Sequence, residues 1–259
     1  MSAMQFADRC EAGRRLAGEL LPLAEESPVV VALPRGGVPV AVEVAKALEA
    51  PLDILAVRKL GAPGNRELGV GAVAEGGSAV LDSSSAEQLG LTSSMLDATL
   101  ARETRELRRR VARYRGDRPP IAVHGRTVIV VDDGLATGLS DLAAIRALRK
   151  RGARRIVVAV PVGSRESVAM LGEEADEVLC LMIPERLYGV GLWYEDFAPV
   201  SDEEVLALLE EAGGGSEARC PGTHSRPAHA AARCCIRPTA RPRPWRRGWQ
   251  LPSGQARLQ

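Results

Sequence analysis

The chain has 259 residues, of which 46% are hydrophobic and 26% are charged, a composition typical of one globular domain with an added segment. No apolar run approaches the roughly 18–20 residues that a membrane span needs. Residues 1–20 mix acids with bases and lack the apolar stretch of a secretory signal. We therefore expect a cytoplasmic protein that does not enter a membrane.

The net charge of +1 hides two opposed segments. Residues 213–259 carry nine arginines and one acid, whereas residues 1–212 carry 25 bases and 32 acids. Binding to a nucleic-acid backbone favours a broad basic surface, so the acidic body argues against nucleic acid as its main ligand. We predict one domain over residues 1–212. Residues 213–259, rich in Arg and Pro and without apolar periodicity, are predicted to be a disordered tail.

The cysteines and histidines of the tail do not predict a zinc site, because their spacing matches no standard finger or ribbon. They are Cys220, His224, His229, Cys234 and Cys235. Contact of the basic tail with nucleic acid or acidic lipid is left open as an alternative to an inert tail. Cys10 and Cys180 of the body do not suggest a disulfide framework, and we expect reduced thiols.

Strand-like apolar runs alternate with helical patterns along the body, which is typical of βαβ units and a mainly parallel sheet. Because the strand-like runs are apolar throughout, we expect them to be buried on both faces. The sequence thus predicts an α/β fold with a doubly wound, mainly parallel five-stranded sheet and flanking helices. Strands are predicted at 29–34, 52–57, 127–133, 154–162 and 176–183, and helices at 38–50, 140–151 and 164–173.

Two segments stand outside that alternation. Residues 60–81 are rich in glycine and predict a mobile loop with a short ribbon. Residues 92–115 predict one long helix, capped by Thr92 or Ser93 and ending near Gly116. The charge run of this helix favours a solvated face. We predict a small second lobe, the hood, over a core of about 28–200; its segments are 1–25, 60–118 and 184–212.

Residues 128–140, "VIVVDDGLATGLS", place two carboxylates between a buried strand and a loop that leads into a helix. Ligands of open α/β sheets bind beyond the carboxyl ends of the strands, and a helix N-terminus offers free N–H groups to a phosphate. Asp132 and Asp133 can accept hydrogen bonds from vicinal hydroxyls, so the stretch predicts a site for ribose 5-phosphate. The alternative is an acidic pair that only ends a strand. The predicted phosphate-binding residues are Ala136, Thr137, Gly138, Leu139 and Ser140.

The same stretch resembles the 5-phosphoribosyl-1-pyrophosphate (PRPP) signature of type I phosphoribosyltransferases. The resemblance implies that the two aspartates meet the ribose hydroxyls and that residues 136–140 bind the 5-phosphate. "LPRGG" stands where this family has its pyrophosphate loop, which implies binding roles for Arg35, Gly36 and Gly37. Non-proline cis peptides occur in this loop in the family.

Residues 57–65, "VRKLGAPGN", resemble the Arg-Lys pair and closing loop of adenine and orotate enzymes, and most of all an uncharacterised bacterial subgroup with a RKLGAPGN-like loop. On pattern alone, two bases at a strand end form a solvated pair. The resemblance implies instead that Arg58 and Lys59 reach the pyrophosphate. They would be catalytic together with Asp132 and Asp133.

The implied activity is that of a phosphoribosyltransferase, a glycosyltransferase of nucleotide metabolism. It would move the 5-phosphoribosyl group of PRPP to a nucleobase-like acceptor and release pyrophosphate, with Mg²⁺ held mainly through PRPP. Enzymes of 6-oxopurines carry an acid where this chain has Ala136, which argues against hypoxanthine or guanine. The alternative is a non-catalytic PRPP-binding or nucleotide-binding regulatory protein on the same fold. The family also allows a homodimer.

The sequence does not decide which residues would bind the acceptor. Trp193, Tyr194 and Phe197 fit a stack on an acceptor ring and fit a hood core equally well. Glu75 and Glu103 are candidates for a general base, and each also fits a structural role.

Overall fold

The computed structural model describes residues 5–62 and 65–214. From residue 215 on, the predicted tail lies outside the described residues, and its bounds stay a prediction. In chain order the elements are α1 (Arg9–Leu20), β1 (Val29–Ala32), α2 (Gly37–Ala47), β2 (Leu52–Ile54), β3 (Val57–Ala62), β4 (Asn65–Ala74), β5 (Ala79–Leu81), α3 (Ser83–Gln88), α4 (Ser93–Arg115), β6 (Thr127–Val131), α5 (Leu139–Lys150), β7 (Arg155–Val162), α6 (Arg165–Gly172), β8 (Glu177–Met182) and α7 (Asp202–Gly214).

The central sheet has five parallel strands in the order β2-β1-β6-β7-β8, which confirms the predicted fold class. Alternate residues of each central strand enter different cores. Val30 and Ala32 pack with α1, α2 and α7 on one face, whereas Val29 and Val31 pack with α5 and α6 on the other. Burial on both faces explains why these strands are apolar at nearly every position.

The prediction of a loop with a short ribbon over residues 60–81 is correct in its ribbon, but strands replace most of the expected loop among the described residues. Strands β3, β4 and β5 form a separate antiparallel sheet in that order. A Cβ on Gly71 would clash with the carbonyl oxygen of Val80, so glycine here allows strands to approach closely. Register shifts at Gly61 add irregularity. Gly61, Gly69 and Gly71 therefore belong to a sheet, whereas Gly76 and Gly77 form the turn between β4 and β5 with φ at +89° and +81°.

The same sheet changes the place of Arg58 and Lys59. The second core strand ends at Ile54, and β3 begins at Val57. Arg58 and Lys59 thus lie within the antiparallel sheet β3-β4-β5, which we call the hood sheet. They stand opposite Val73 and Ala72 and not at the end of a core strand.

The long hood helix is confirmed. Helix α4 runs from Ser93 to Arg115, and its cap is Thr92, whose hydroxyl accepts from the N–H of Met95 at 3.4 Å. Gly116 ends the helix with φ at +58°. Among the described helices, none is long and apolar enough to cross a membrane.

Helix α1 packs closely on α2 through Gly13. A Cβ on Gly13 would lie 2.7 Å from the carbonyl oxygen of Val40 and 2.9 Å from Cβ of Glu43. Gly18, further along the same helix, has open space around it. Two glycines of one helix therefore have opposite packing environments.

We expect Gly13→Ala to lower the free energy of unfolding by about 1–3 kcal/mol, because a backbone atom blocks the added methyl. Gly18→Ala should raise it by about 0.5–1 kcal/mol through better helix propensity. Urea denaturation of both variants measures the difference. Equal effects in the two variants would contradict this packing.

Candidate functional site

A cavity of about 370 Å³ opens beyond the carboxyl ends of β1 and β6. It brings together segments that are far apart in the chain: the loop at 33–37, the strand β3, the acids after β6 and the helix α4. Seven predicted residues line it, namely Arg35, Gly36, Arg58, Lys59, Asp132, Asp133 and Ser140. Glu103 and Arg110 of α4 line it as well.

The loop at 33–37 lies directly against the strand-end acids. The N–H of Leu33 donates to the carbonyl oxygen of Val131 at 2.9 Å, and the peptide bond from Pro34 to Arg35 is cis. A Cβ on Gly36 would clash with the carboxylate of Asp133. This approach therefore requires glycine at position 36.

Gly37 meets the same constraint from the next position. A Cβ there would lie 2.6 Å from the carbonyl oxygen of Val131 and 2.9 Å from Cα of Asp132. The N–H of Gly37 donates to the carbonyl oxygen of Leu33 at 3.1 Å. In this conformation Gly37 serves close packing, and its role toward a ligand stays a prediction.

Asp133 is held by two segments from opposite ends of the domain. The Nε of Arg9 donates to its Oδ2 at 2.9 Å, and the hydroxyl of Tyr194 donates to its carbonyl oxygen at 2.7 Å. Arg9 also donates to the carbonyl oxygen of Ala198 at 2.9 Å, and its guanidinium lies 3.8 Å from the ring centroid of Phe197. Asp133 is thereby fixed in place on both its side chain and its backbone.

Sequence reasoning missed Arg9. Its signal was its place on the buried face of α1, in register with Ala12 and Leu16, where an arginine needs a partner. The side chain of Arg9 is only 10% exposed. An arginine at a core-facing helix position thus pointed to a buried acid elsewhere in the chain.

The aromatic residues near the site form a small core. Tyr194 is 4% exposed and packs against Phe6 and Phe197, with ring centroids 5.4 and 4.9 Å away. Trp193 is partly buried against the same cluster. The hood-core interpretation therefore holds for Tyr194, and the described residues that line the cavity include no aromatic side chain.

The two adjacent acids share an unfavourable environment. Burial raises the pKa of Asp132 well above its ordinary value, and the charges of Asp133 and Asp141 add to the rise. Burial also raises the pKa of Asp133, and the charge of Arg9 opposes that rise. The Oδ1 of Asp132 accepts from the N–H of Asp133 at 2.8 Å. Hydroxyl donors or a cation in the cavity would stabilise the ionised forms.

Asp141, in the first turn of α5, is a third acid of this region that sequence reasoning did not select. It is 2% exposed, and its Oδ1 has no hydrogen-bond partner among the described residues. Burial raises the pKa of Asp141 to about 7, and the charge of Asp133 contributes to the rise.

Two serines at the start of α6 bind the backbone of the predicted phosphate loop. The hydroxyls of Ser167 and Ser164 donate to the carbonyl oxygen of Ala136 at 2.8 and 3.2 Å. Gly138 takes a φ of +68° immediately before α5 begins at Leu139. Of the five predicted residues, Ser140 lines the main cavity, whereas Ala136 and Thr137 line a neighbouring depression of about 380 Å³.

Arg58 is held by a buried glutamate. Its Nε and Nη2 donate to Oε2 of Glu103 at 3.0 and 2.7 Å, and Arg102 donates to the other oxygen at 3.1 Å. Burial opposes ionisation of Glu103, but these bonds outweigh it and lower its pKa. Glu75 pairs with the buried Arg115, with 3.1 Å between Nη2 and Oε2. Both candidates for a general base are therefore committed to ion pairs.

The described acids of the site do not form a cluster of protein ligands for a metal ion. Within the described part of the chain, no group of three or more His, Cys, Asp or Glu side chains is placed to hold a metal ion.

The chain is similar in sequence to known proteins. Residues 5–191 match the family model described as a phosphoribosyl transferase domain. Two Mycobacterium tuberculosis proteins, from strains CDC 1551 and H37Rv, are 46% identical over 207 residues and are named provisionally as phosphoribosyl transferases. The match covers 80% of this chain and 47% of theirs, so the chain spans about half the length of these curated relatives.

A solved structure is similar over nearly its whole length. The crystal structure of TT1426 from Thermus thermophilus shares 49% sequence identity with this chain. The alignment covers 80% of this chain and 99% of TT1426, with a TM-score of 0.68.

Removal of Arg9 should leave Asp133 as an unpaired, largely buried charge. We expect Arg9→Met to lower the free energy of unfolding by about 3 kcal/mol or more. Addition of Asp133→Asn should restore part of that loss. Urea denaturation of the two single variants and the double variant gives the coupling energy. Arg14→Met, at an exposed position of α1, serves as the control and should cost about 0.5 kcal/mol or less; a coupling energy near zero would contradict the pair.

Asp141 predicts a pH dependence of stability. Folded protein keeps the Asp141 proton up to about pH 7, whereas the unfolded chain loses it near 3.8, so stability falls as pH rises through that window. Asp141→Asn should remove about 2–3 kcal/mol of the fall between about pH 5 and pH 8. Urea denaturation at both pH values measures it, with the exposed Asp97→Asn as the control. An unchanged pH dependence in Asp141→Asn would contradict the assignment.

Proposed function

This chain belongs to the phosphoribosyl transferase family, and we propose that it transfers the 5-phosphoribosyl group of PRPP to a nucleobase-like acceptor with release of pyrophosphate. One observation carries the proposal. Strand-end acids, a glycine loop with an arginine and two bases of the hood sheet, which the family resemblance named separately, line one cavity at the carboxyl edge of the sheet. Ligands of open α/β sheets bind at this edge.

Asp132 and Asp133 are proposed to accept hydrogen bonds from the ribose hydroxyls. Both carboxylates line the cavity, and Arg9 fixes the orientation of Asp133. Burial makes their ionised forms unfavourable in the free protein. Hydroxyl donors from a ribose ring would offset that cost, which couples binding of the sugar to charge on the pair.

The start of α5 is proposed to bind the 5-phosphate. Its first N–H groups, together with the hydroxyls of Thr137 and Ser140, offer donors to an anion, and the helix dipole favours negative charge there. The hydrogen bonds from Ser164 and Ser167 to Ala136 hold the backbone of this loop before a ligand arrives. A loop ordered in advance loses less entropy on binding.

Arg35, Arg58 and Lys59 are proposed to stabilise the diphosphate as it leaves. Charge grows on the diphosphate oxygens while C1 of the ribose becomes oxocarbenium-like, so fixed cations act most strongly in the transition state. Glu103 holds Arg58 at the cavity through two hydrogen bonds. Glu103 is therefore proposed to position the guanidinium of Arg58.

We propose Mg²⁺ as the metal that accompanies PRPP, held mainly through phosphate oxygens and water. The site fits a cation, because the carboxylates of Asp132 and Asp133 both line the cavity and only Asp133 has an arginine partner, Arg9. When bound, Mg²⁺ supplies charge neutralisation for the diphosphate.

The acceptor is proposed only by class. Ala136 takes the position where enzymes of 6-oxopurines carry an acid, which supports an acceptor of another kind. Proton movement at the acceptor has no evident base, since Glu75 and Glu103 are ion-paired.

A second candidate, a non-catalytic PRPP-binding or nucleotide-binding regulator, is supported by the same observation together with the cavity lining. No aromatic side chain lines the cavity among the described residues, so a platform for a flat base is not evident there. Release of pyrophosphate from PRPP across a panel of nucleobase-like acceptors distinguishes the two candidates. Turnover with any acceptor supports the transferase, whereas PRPP binding without turnover supports the regulator.

Thermal unfolding of the full chain tests the shared site first. Saturating PRPP with Mg²⁺ should raise Tm by about 5–10 °C, since a ligand at 100 times its Kd adds about 2.7 kcal/mol. The rise should disappear in Asp132→Asn/Asp133→Asn, measured against that variant's own baseline, and persist in Asp97→Asn. Ribose 5-phosphate should give a smaller rise. No shift at millimolar PRPP would overturn the transferase and the PRPP-binding regulator, and the same measurement with nucleotides would then test the nucleotide-binding regulator.

A further inference from the structure

Helix α4 presents one unexpected cation to the cavity. Glu103, Leu107, Arg110 and Tyr114 follow the spacing i, i+4, i+7 and i+11, which places them on one face of the helix. Three of them are 5% exposed or less, so this is the inward face of α4. Arg110, the fourth, is half-buried and lines the cavity of about 370 Å³.

Three carboxylates of this region already bind other groups, and one of them, Glu106, accepts from Arg109 at 3.0 Å. Both oxygens of Glu103 accept from Arg58 and Arg102. The carboxylate of Asp202 accepts from Tyr114 and from Arg113. Among residues 5–62 and 68–212, no ion pair to Arg110 is found. A partly buried cation without an anion is costly, and an anionic ligand would offset that cost.

Arg110 acts on the carboxylate of Asp202 through its charge, as Arg35 does. The hydrogen bond from Tyr114 lowers the pKa of Asp202, and the charges of Arg113, Arg35 and Arg110 lower it further. The Nη1 of Arg35 lies 3.8 Å from Oδ1 of Asp202. The charges of Arg35 and Arg110 therefore act on the same carboxylate, and both side chains line the same cavity.

The charges of the cavity are divided in a way that favours a multiply charged anion. Four basic side chains line it, from Arg35, Arg58, Lys59 and Arg110, together with three carboxylates. Two of those carboxylates are already compensated, one by Arg9 and one by Arg58 with Arg102. With Arg58 committed to Glu103, Arg35, Lys59 and Arg110 remain as lining cations opposite Asp132, so the cavity keeps an excess of positive charge.

We propose that Arg110 is a further binding residue for the diphosphate group of the substrate, to which its guanidinium donates from the hood helix. The inference rests on the proposed function and adds to it a residue from outside the three segments that the family resemblance named. A guanidinium presents several N–H donors in a fixed plane, which suits two oxygens of one phosphate group. A ligand held by Arg35 and Arg110 would connect the core loop with the hood.

Titration calorimetry of the full chain with Mg²⁺ tests this inference, with inorganic pyrophosphate, PRPP and ribose 5-phosphate as separate probes. Arg110→Gln should weaken binding of pyrophosphate and PRPP at least tenfold and change that of ribose 5-phosphate less than twofold. Arg110→Lys, which keeps the charge but not the planar donors, should weaken pyrophosphate by an intermediate factor. Arg109→Gln is the matched control, since Arg109 is 75% exposed on the same helix, and it should bind all three probes as the wild type does.

The outcomes separate the inference from the proposed function. Wild-type protein that binds neither PRPP nor ribose 5-phosphate would overturn the proposed function and this inference with it. Wild-type binding with an unchanged pyrophosphate Kd in both Arg110 variants would overturn the inference alone. An equal loss for ribose 5-phosphate in Arg110→Gln would also overturn it, because Arg110 would then act only through the general field of the cavity. Thermal unfolding of each variant checks that it is folded.

Discussion

The pair of acids after β6 is the constraint on which the rest of the site depends. Burial of two adjacent carboxylates beyond a buried strand raises the pKa of both, and the charge of Asp133 raises that of Asp132 further. The fold compensates one of them with Arg9 from its first helix and positions the backbone of the same residue with Tyr194 from a segment near the end of the domain. The other acid, Asp132, keeps an uncompensated demand for donors. Segments from the two ends of the domain thus both contact Asp133, next to the acid that lacks a cationic partner.

Much of the fold could be predicted because its strands are apolar at consecutive positions and its acids follow at once. The loop prediction over residues 60–81 failed where strands form, because glycine is favoured both in turns and where two strands approach closely. Glycine marks a loop when the chain must turn, but Gly71 is needed because a neighbouring strand approaches too closely for a Cβ. Local composition does not separate these cases, since the difference lies in the partner strand. Arg58 and Lys59 nevertheless reach the cavity, because β3 follows directly after the short connection from β2.

Two of the residues that sequence reasoning missed share one physical property. Arg9 and Ser167 act on groups that are distant in the chain, Asp133 and Ala136, through side-chain contacts that no local pattern encodes. The charge run of α4 shows the limit clearly. Adjacent helical positions differ by about 100° in direction, so Arg109 is exposed whereas Arg110 lines the cavity. A run of arginines that looks like one solvated face on sequence therefore divides between solvent and site.

The acids after β6 and the cations of the cavity come from different elements, and Glu103 of α4 is bound by Arg58 and Arg102. Acids lie at the end of β6, and basic side chains come from the 33–37 loop, β3 and α4. Under the proposed function, a diol beside the acids and a diphosphate beside the cations is the favourable arrangement, because the reverse would set diphosphate oxygens against Asp132 and Asp133. Coulomb energies between charges a few ångströms apart are large in a partly desolvated site. The acids and cations that make the free site costly to maintain would then also orient the proposed substrate.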